Sequence, residues 1–138
     1  MKQYYSCIDS SLPSPQPEQH LIMRLMAETL KGKIVFYGAE EIRVIKQQPF
    51  ILPKLMRTND LDGVIFFTFN QFCYSGKINI KLLLQILEIG LTIHFAREKF
   101  SFNEKLDVYK KFQVLSPYCN NLFRNKAESI VSLNSMFQ

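Results

Sequence analysis

The feature that most constrains this chain is the run Val64-Ile65-Phe66-Phe67-Thr68-Phe69, introduced by Asp62-Gly63. A continuous apolar stretch of this length, rich in β-branched and aromatic residues, is the pattern of a strand covered on both faces; an alternating pattern would mark a half-wet strand. It is far too short to cross a bilayer, and no other stretch is both long and uncharged enough to do so. The run is therefore expected at the centre of a sheet that carries helices on both sides.

The rest of the chain is read around that strand. Residues 3–8 form a first short strand, which empties into the Pro/Ser-punctuated stretch Ser10-Ser11-Leu12-Pro13-Ser14-Pro15. From Pro17, with Glu18 beside it, Leu21, Ile22, Leu25, Met26 and Leu30 recur at helical spacing, and Gly32 is expected to end that helix. Lys33–Tyr37 reads as a second strand, Gly38–Glu41 as a turn, and Pro49–Arg57 as a short helix interrupted by Pro53. After the central strand, Asn70–Gly76 reads as a polar loop, Ile78–Ile89 as a strongly apolar helix closed by Gly90, and Leu91–Ala96 as a fourth strand. Arg97–Phe102 reads as a loop. A helix capped by Asn103 is expected to run to about Leu115 and stop at Pro117, with a last helix within 118–138.

Strand and helix alternate, so parallel strands joined by right-handed crossovers are expected. The fold class is α/β: an open, mainly parallel four-stranded sheet with helices on both faces and a C-terminal helical extension. Residues 1–102 form the α/β part, and 103–138 extend the same domain. The strand at 64–69 should be flanked by strands 3–8 and 91–96, with 33–37 beside the first.

At 138 residues, with 47% hydrophobic and 21% charged residues, the chain is neither disordered nor a coiled coil. Lys2 is followed at once by Gln3, Tyr4 and Tyr5, with no export leader, so a cytoplasmic protein is expected. The net charge of +5 is concentrated after residue 96, but acidic residues are interspersed there, so nucleic acid is not an expected partner. Cys7, Cys73 and Cys119 are odd in number and far apart; three reduced thiols and no metal are expected. Glycine-rich phosphate loops, the G-x-S-x-G elbow and His/Cys ligand spacings are all missing, so no cofactor is expected.

In an open parallel sheet, ligands meet the carboxyl ends of the strands. That rule selects Ser6–Gln19, Tyr37–Glu41, Asn70–Gly76 and Arg97–Phe102, a rim of amides, hydroxyls and mixed charges that suits a sugar. Glu40 and Glu98 are its only candidates for an acid/base pair, although carboxylates on separate loops are more often solvated. His94 lies between Ile93 and Phe95 within the fourth strand, where a lone histidine is usually a hydrogen-bonded core residue.

The chain resembles a small bacterial family called sporadic carbohydrate cluster proteins, which occur in surface-carbohydrate gene clusters. The resemblance spans about residues 3–100. It rests on Pro15-Gln16 followed by Gln19, Leu21 and Arg24, on Glu40, on Asp62–Phe67 with Gln71 beyond, and on His94-Phe95-Ala96 followed by Glu98. Ser6 matches a Ser-Arg step of that family, with Cys7 where the Arg would stand. A more distant similarity is to the catalytic domain of serine recombinases, which share the element order. That family needs a Ser nucleophile near the end of the first strand, an Arg beside it, and an Asp-Arg-x-x-Arg run after the central strand. Here the run reads Asn70-Gln71-Phe72-Cys73-Tyr74, without either arginine, so strand exchange is not expected.

Together these readings imply a protein of bacterial surface-polysaccharide biosynthesis that binds or modifies a sugar or nucleotide-sugar. Glu40 and Glu98 are the acid/base candidates, and Ser6, Gln16, Gln19, Arg24, Gln71 and His94 the binding candidates. The alternative is a non-catalytic scaffold on a degenerate recombinase-like fold. The apolar excess of the 78–89 helix and of Ile130, Val131, Leu133, Met136 and Phe137 implies a homodimer, or else a C-terminal segment folded back on that helix.

Overall fold

The computed structural model describes residues 1–40, 50–74 and 76–124. The expectations for Glu41, Pro49, Ser75 and residues 125–138 lie outside the described residues. In chain order the elements are β1 (Lys2–Ile8), α1 (Gln16–Thr29), β2 (Gly32–Ala39), α2 (Ile51–Arg57), β3 (Gly63–Phe66) and a 3-10 turn (Phe69–Phe72). There follow β4 (Cys73–Tyr74), β5 (Lys77–Ile78), α3 (Ile80–Glu88), β6 (Thr92–Phe95), β7 (Phe100–Phe102) and α4 (Lys105–Arg124).

The main sheet has five strands in the order β2-β1-β3-β6-β7. The first four run parallel and β7 joins antiparallel to β6. The order reverses between β1 and β3, the point where an open α/β sheet opens a crevice at its carboxyl edge. β3 is central and fully buried, because alternate side chains enter two different cores. Val64 and Phe66 join Tyr5, Cys7, Ile93 and Phe95 under α2, α3 and α4, while Ile65 and Phe67 join Tyr4, Ile8 and Ala96 under Met23 and Ala27 of α1.

Several expected boundaries move, each for a local reason. The central strand ends at Phe66, not Phe69, because Thr68 starts a 3-10 turn: its hydroxyl accepts from the Asn70 N–H, and Gln71 Oε1 accepts from the Thr68 N–H. Gly32 does not end α1. Lys31 takes the left-handed conformation there, at φ 59°, and Gly32 opens β2 against the Tyr4 ring. Gly90 does close α3, at φ 100°. Pro53 sits in the first turn of α2, where a missing N–H costs no intrahelical bond, so it does not interrupt the helix. Residues 97–102 are not simply a loop: Lys99, at φ 59°, turns the chain so that Phe100–Phe102 pairs back on β6. The sheet thereby gains its fifth strand.

The largest departure is α4, which continues through Pro117 to Arg124 instead of stopping before it. A proline inside a helix forfeits a backbone bond and crowds the preceding turn, at about 3 kcal/mol. What offsets this lies beyond the proline: Tyr118 and Cys119 are buried, and Cys119 is disulfide-bonded to Cys73. Only Cys7 is a free thiol, so the expectation of three reduced thiols is corrected. The pair is 46 residues apart in sequence and is brought together by the packing of α4 on β4 and β5. At the start of α4 the N–H groups of Asn103 and Glu104 donate to Asp107 Oδ2. α4 also packs on α3, covering part of the apolar excess of that helix within the same chain.

Candidate functional site

The carboxyl edge of the sheet is built by side chains that tie the strand ends to one another. At the end of β1, Gln19 reaches back from α1: its Oε1 accepts from the Asp9 N–H, and its Nε2 donates to the carbonyls of Asp9 and Ser14. Asp9 Oδ1 in turn accepts from the Ser11 N–H at 2.9 Å and from its hydroxyl. The β1–α1 connection is thus a closed network, with Gln19 and Asp9 fully buried. Gln71 does the same between strands, its Nε2 donating to the Cys7 carbonyl at 3.2 Å. These amides serve the protein's own backbone.

Glu98 is the centre of the edge. It is 4% exposed; Oε2 accepts from the Thr68 hydroxyl and Oε1 from the Phe69 N–H at 2.9 Å. Burial pushes its carboxyl above the usual range, and the Thr68 and Phe69 hydrogen bonds pull the other way without cancelling the effect. Beside it, the Tyr118 hydroxyl on α4 donates to Asn70 Oδ1 at 2.6 Å, and burial, reinforced by Glu98, pushes that phenol up. Thr68 and Tyr118 are site members that the sequence reading missed. Thr68 had a signal, since Thr-x-x-Gln is a capping box; Tyr118 had none, because its role depends on a helix that crosses a proline.

The other expected residues are dispersed. Glu40 follows β2 and its carboxylate accepts from the N–H groups of Phe50 and Ile51, so it serves as the acceptor at the start of α2. It does not converge with Glu98 through any shared hydrogen bond among the described residues. Ser6 is fully buried inside β1 and donates to the Phe36 carbonyl at 3.4 Å, away from the strand end. Gln16 and Arg24 are exposed on α1.

His94 lies in the core, as its place between Ile93 and Phe95 led us to expect, and not at the strand ends with the binding candidates. Its ring bridges the hydroxyls of Thr92 at 2.7 Å and Ser101 at 2.6 Å, and the Tyr4 ring meets it edge-on. Burial lowers its pKa to about 4, so at neutral pH it is an uncharged crosslink between β6 and β7.

Chemically, the edge offers two buried carboxyls, Asp9 held by Ser11 and Glu98 with both oxygens engaged, the backbone-capping carboxylate of Glu40, and the exposed Ser10, Gln16 and Arg97. Arg97 lies over the Phe67 ring at 5.7 Å. Cys7 is buried and its thiol is pushed far up by that burial, which removes it as a nucleophile. Among the described residues no group of three or more His, Cys, Asp or Glu side chains is placed to hold a metal ion, and no helix is long and apolar enough to cross a membrane.

No protein-family model and no curated protein matches the chain. Among solved structures it is similar to the crystal structure of a resolvase family site-specific recombinase from Streptococcus pneumoniae, with a TM-score of 0.59 and 15% identity, covering 95% of this chain and 97% of that one. The likeness is one of fold, and it spans the elements just described from end to end.

Proposed function

We propose that the chain is a non-catalytic binding module on a resolvase-like fold, working in the assembly of a bacterial surface carbohydrate in the cytoplasm. The observation that carries the non-catalytic part is the commitment of the carboxyl-edge polar groups: Gln19, Gln71, Glu98 and Glu40 all hold the protein's own backbone. A general acid or base must reach a substrate proton at hydrogen-bond distance, and neither Glu40 nor Glu98 is presented that way. Phosphoryl transfer of the recombinase kind needs cations at the phosphate, and the turn after β3 supplies Asn70 and Gln71.

The carbohydrate setting is supported by the resemblance over residues 3–100 and by the exposed groups left at that edge. A sugar or nucleotide-sugar would meet Ser10, Gln16 and Arg97, whose hydroxyl, amide and guanidinium suit vicinal hydroxyls or a phosphate. A partner protein is the second reading, favoured by Leu106, Tyr109 and Phe112, exposed along α4. A second copy of the chain is the expected occupant of that stripe.

A thermal-shift and calorimetric screen against nucleotide sugars and sugar phosphates tests the reading. Saturable binding that is lost in R97A and Q16A, with no turnover by mass spectrometry, is the expected result. Turnover would overturn the non-catalytic claim, and a complete lack of binding by folded protein would overturn the sugar ligand and leave the partner protein.

A further inference from the structure

We infer that the Cys73–Cys119 pair is a thiol–disulfide switch that fastens the second half of α4 over the Thr68–Asn70–Glu98 cluster, with Pro117 as its hinge. Three observations converge on one spot. First, the two cysteines join the end of the 3-10 turn to α4, so the bond ties the carboxyl edge of β3 directly to the last helix. Second, the neighbouring residue Tyr118 donates to Asn70 in the same turn, and Tyr118 lies close enough to Glu98 to feel its charge. Third, Pro117 stands immediately before this anchoring pair. Without an N–H it cannot donate to the carbonyl one turn back, so α4 is weakest where the fastened half begins.

The first half of α4 has anchors of its own. Val108 is buried, Lys111 lies over the rings of Phe100 and Phe102 and donates to the Ser101 carbonyl, and Lys105 pairs with Glu88 at 3.7 Å. Loss of the disulfide would therefore release residues 117–124 while leaving 105–116 and the sheet in place. Thr68, Asn70 and Glu98, each 5% exposed or less with α4 docked, would then meet solvent. In a reducing cytoplasm a protein disulfide is more often a sensor than a staple, and this step rests on the cytoplasmic placement.

The exchange balances with a dithiol as reductant. One external thiolate attacks Sγ of Cys73, which is 8% exposed against 1% for Cys119, and expels Cys119 as thiolate. The second external thiolate then displaces Cys73. Two electrons and two protons pass to the cysteine pair, and the dithiol becomes a disulfide. A glutathione-type disulfide reverses the sequence.

The test uses the full chain, equilibrated with oxidised glutathione or with dithiothreitol. Alkylation under denaturing conditions should count one thiol in the first sample and three in the second. Chymotryptic cleavage after Tyr118, buried when α4 is docked, should rise ~10-fold or more on reduction, while Phe66 and Phe95 stay uncut. C119S should cleave at the reduced rate under both conditions, and P117A should shrink the difference. Three alkylated thiols in the oxidised sample, equal rates at Tyr118, or parallel acceleration at Phe66 and Phe95 would each overturn the switch; an undiminished difference in P117A would overturn the hinge.

Discussion

Glu98 and His94 are both buried ionisable side chains, yet they bias the protein in opposite directions. His94 titrates near 4 when folded, against an ordinary value of 6.5, so the unfolded chain binds more protons between those values. Its contribution to stability is therefore complete above about pH 6.5 and is lost as pH falls towards 4, amounting to about 3 kcal/mol at full titration. Glu98 is raised above 4.5, so its contribution is complete below that value and is lost as pH rises through the folded value. Urea denaturation of H94Q across pH 4–7 should show a flatter acid limb than the wild type. E98Q, which keeps an acceptor for the Phe69 N–H and a donor for Thr68, should gain stability relative to wild type as pH rises. E98A, which leaves the Thr68 hydroxyl and the Phe69 N–H without an acceptor, should lose about 3 kcal/mol at low pH, and less as pH rises and the wild type loses the Glu98 contribution.

At the scale of single elements, Glu40 and Pro117 show how a residue's meaning depends on what it meets. A glutamate after a strand at the carboxyl edge has the position of a general base. In the fold it reaches the start of α2 and accepts from two of the N–H groups that a helix leaves open. E40A should destabilise the protein by about 1 kcal/mol in a chemical melt, and should leave any sugar affinity unchanged. A changed affinity with unchanged stability would return Glu40 to the binding site. Pro117 has the position of a helix stop, and local preference alone would place one there. The helix runs on because Tyr118 and Cys119 find burial and bonds on another element.

For the whole molecule, the open question is what meets the exposed stripe Leu106, Tyr109 and Phe112. Under the homodimer reading, this stripe on α4 is the surface a second copy would cover. Light scattering at micromolar concentration should give the mass of a dimer, and L106E with Y109E should give that of a monomer without loss of helix content. A monomeric wild type would remove the homodimer.

The architecture was legible in the sequence because it rests on short-range signals. The unbroken run ending in Phe69 placed the central strand, the alternation of strand-like and helix-like periods implied parallel pairing, and Gly90 marked a real helix end. These signals are local because burial on one or both faces leaves its period in the residues themselves. The capping box at Thr68 was equally local, and it shortened the central strand. What only the tertiary structure decided was the partner of each polar side chain. Glu98 met Thr68 across 30 residues, Gln71 met Cys7 across 64, and Cys73 met Cys119 across 46. Such pairings leave no period in the chain, since they depend on where crossovers deliver two strand ends. The rim was drawn from strand ends, and among the described residues its side chains Gln19, Gln71 and Glu98 are spent on the protein's own backbone. A buried polar group must be satisfied before it can be used, and here the backbone claims most of them first.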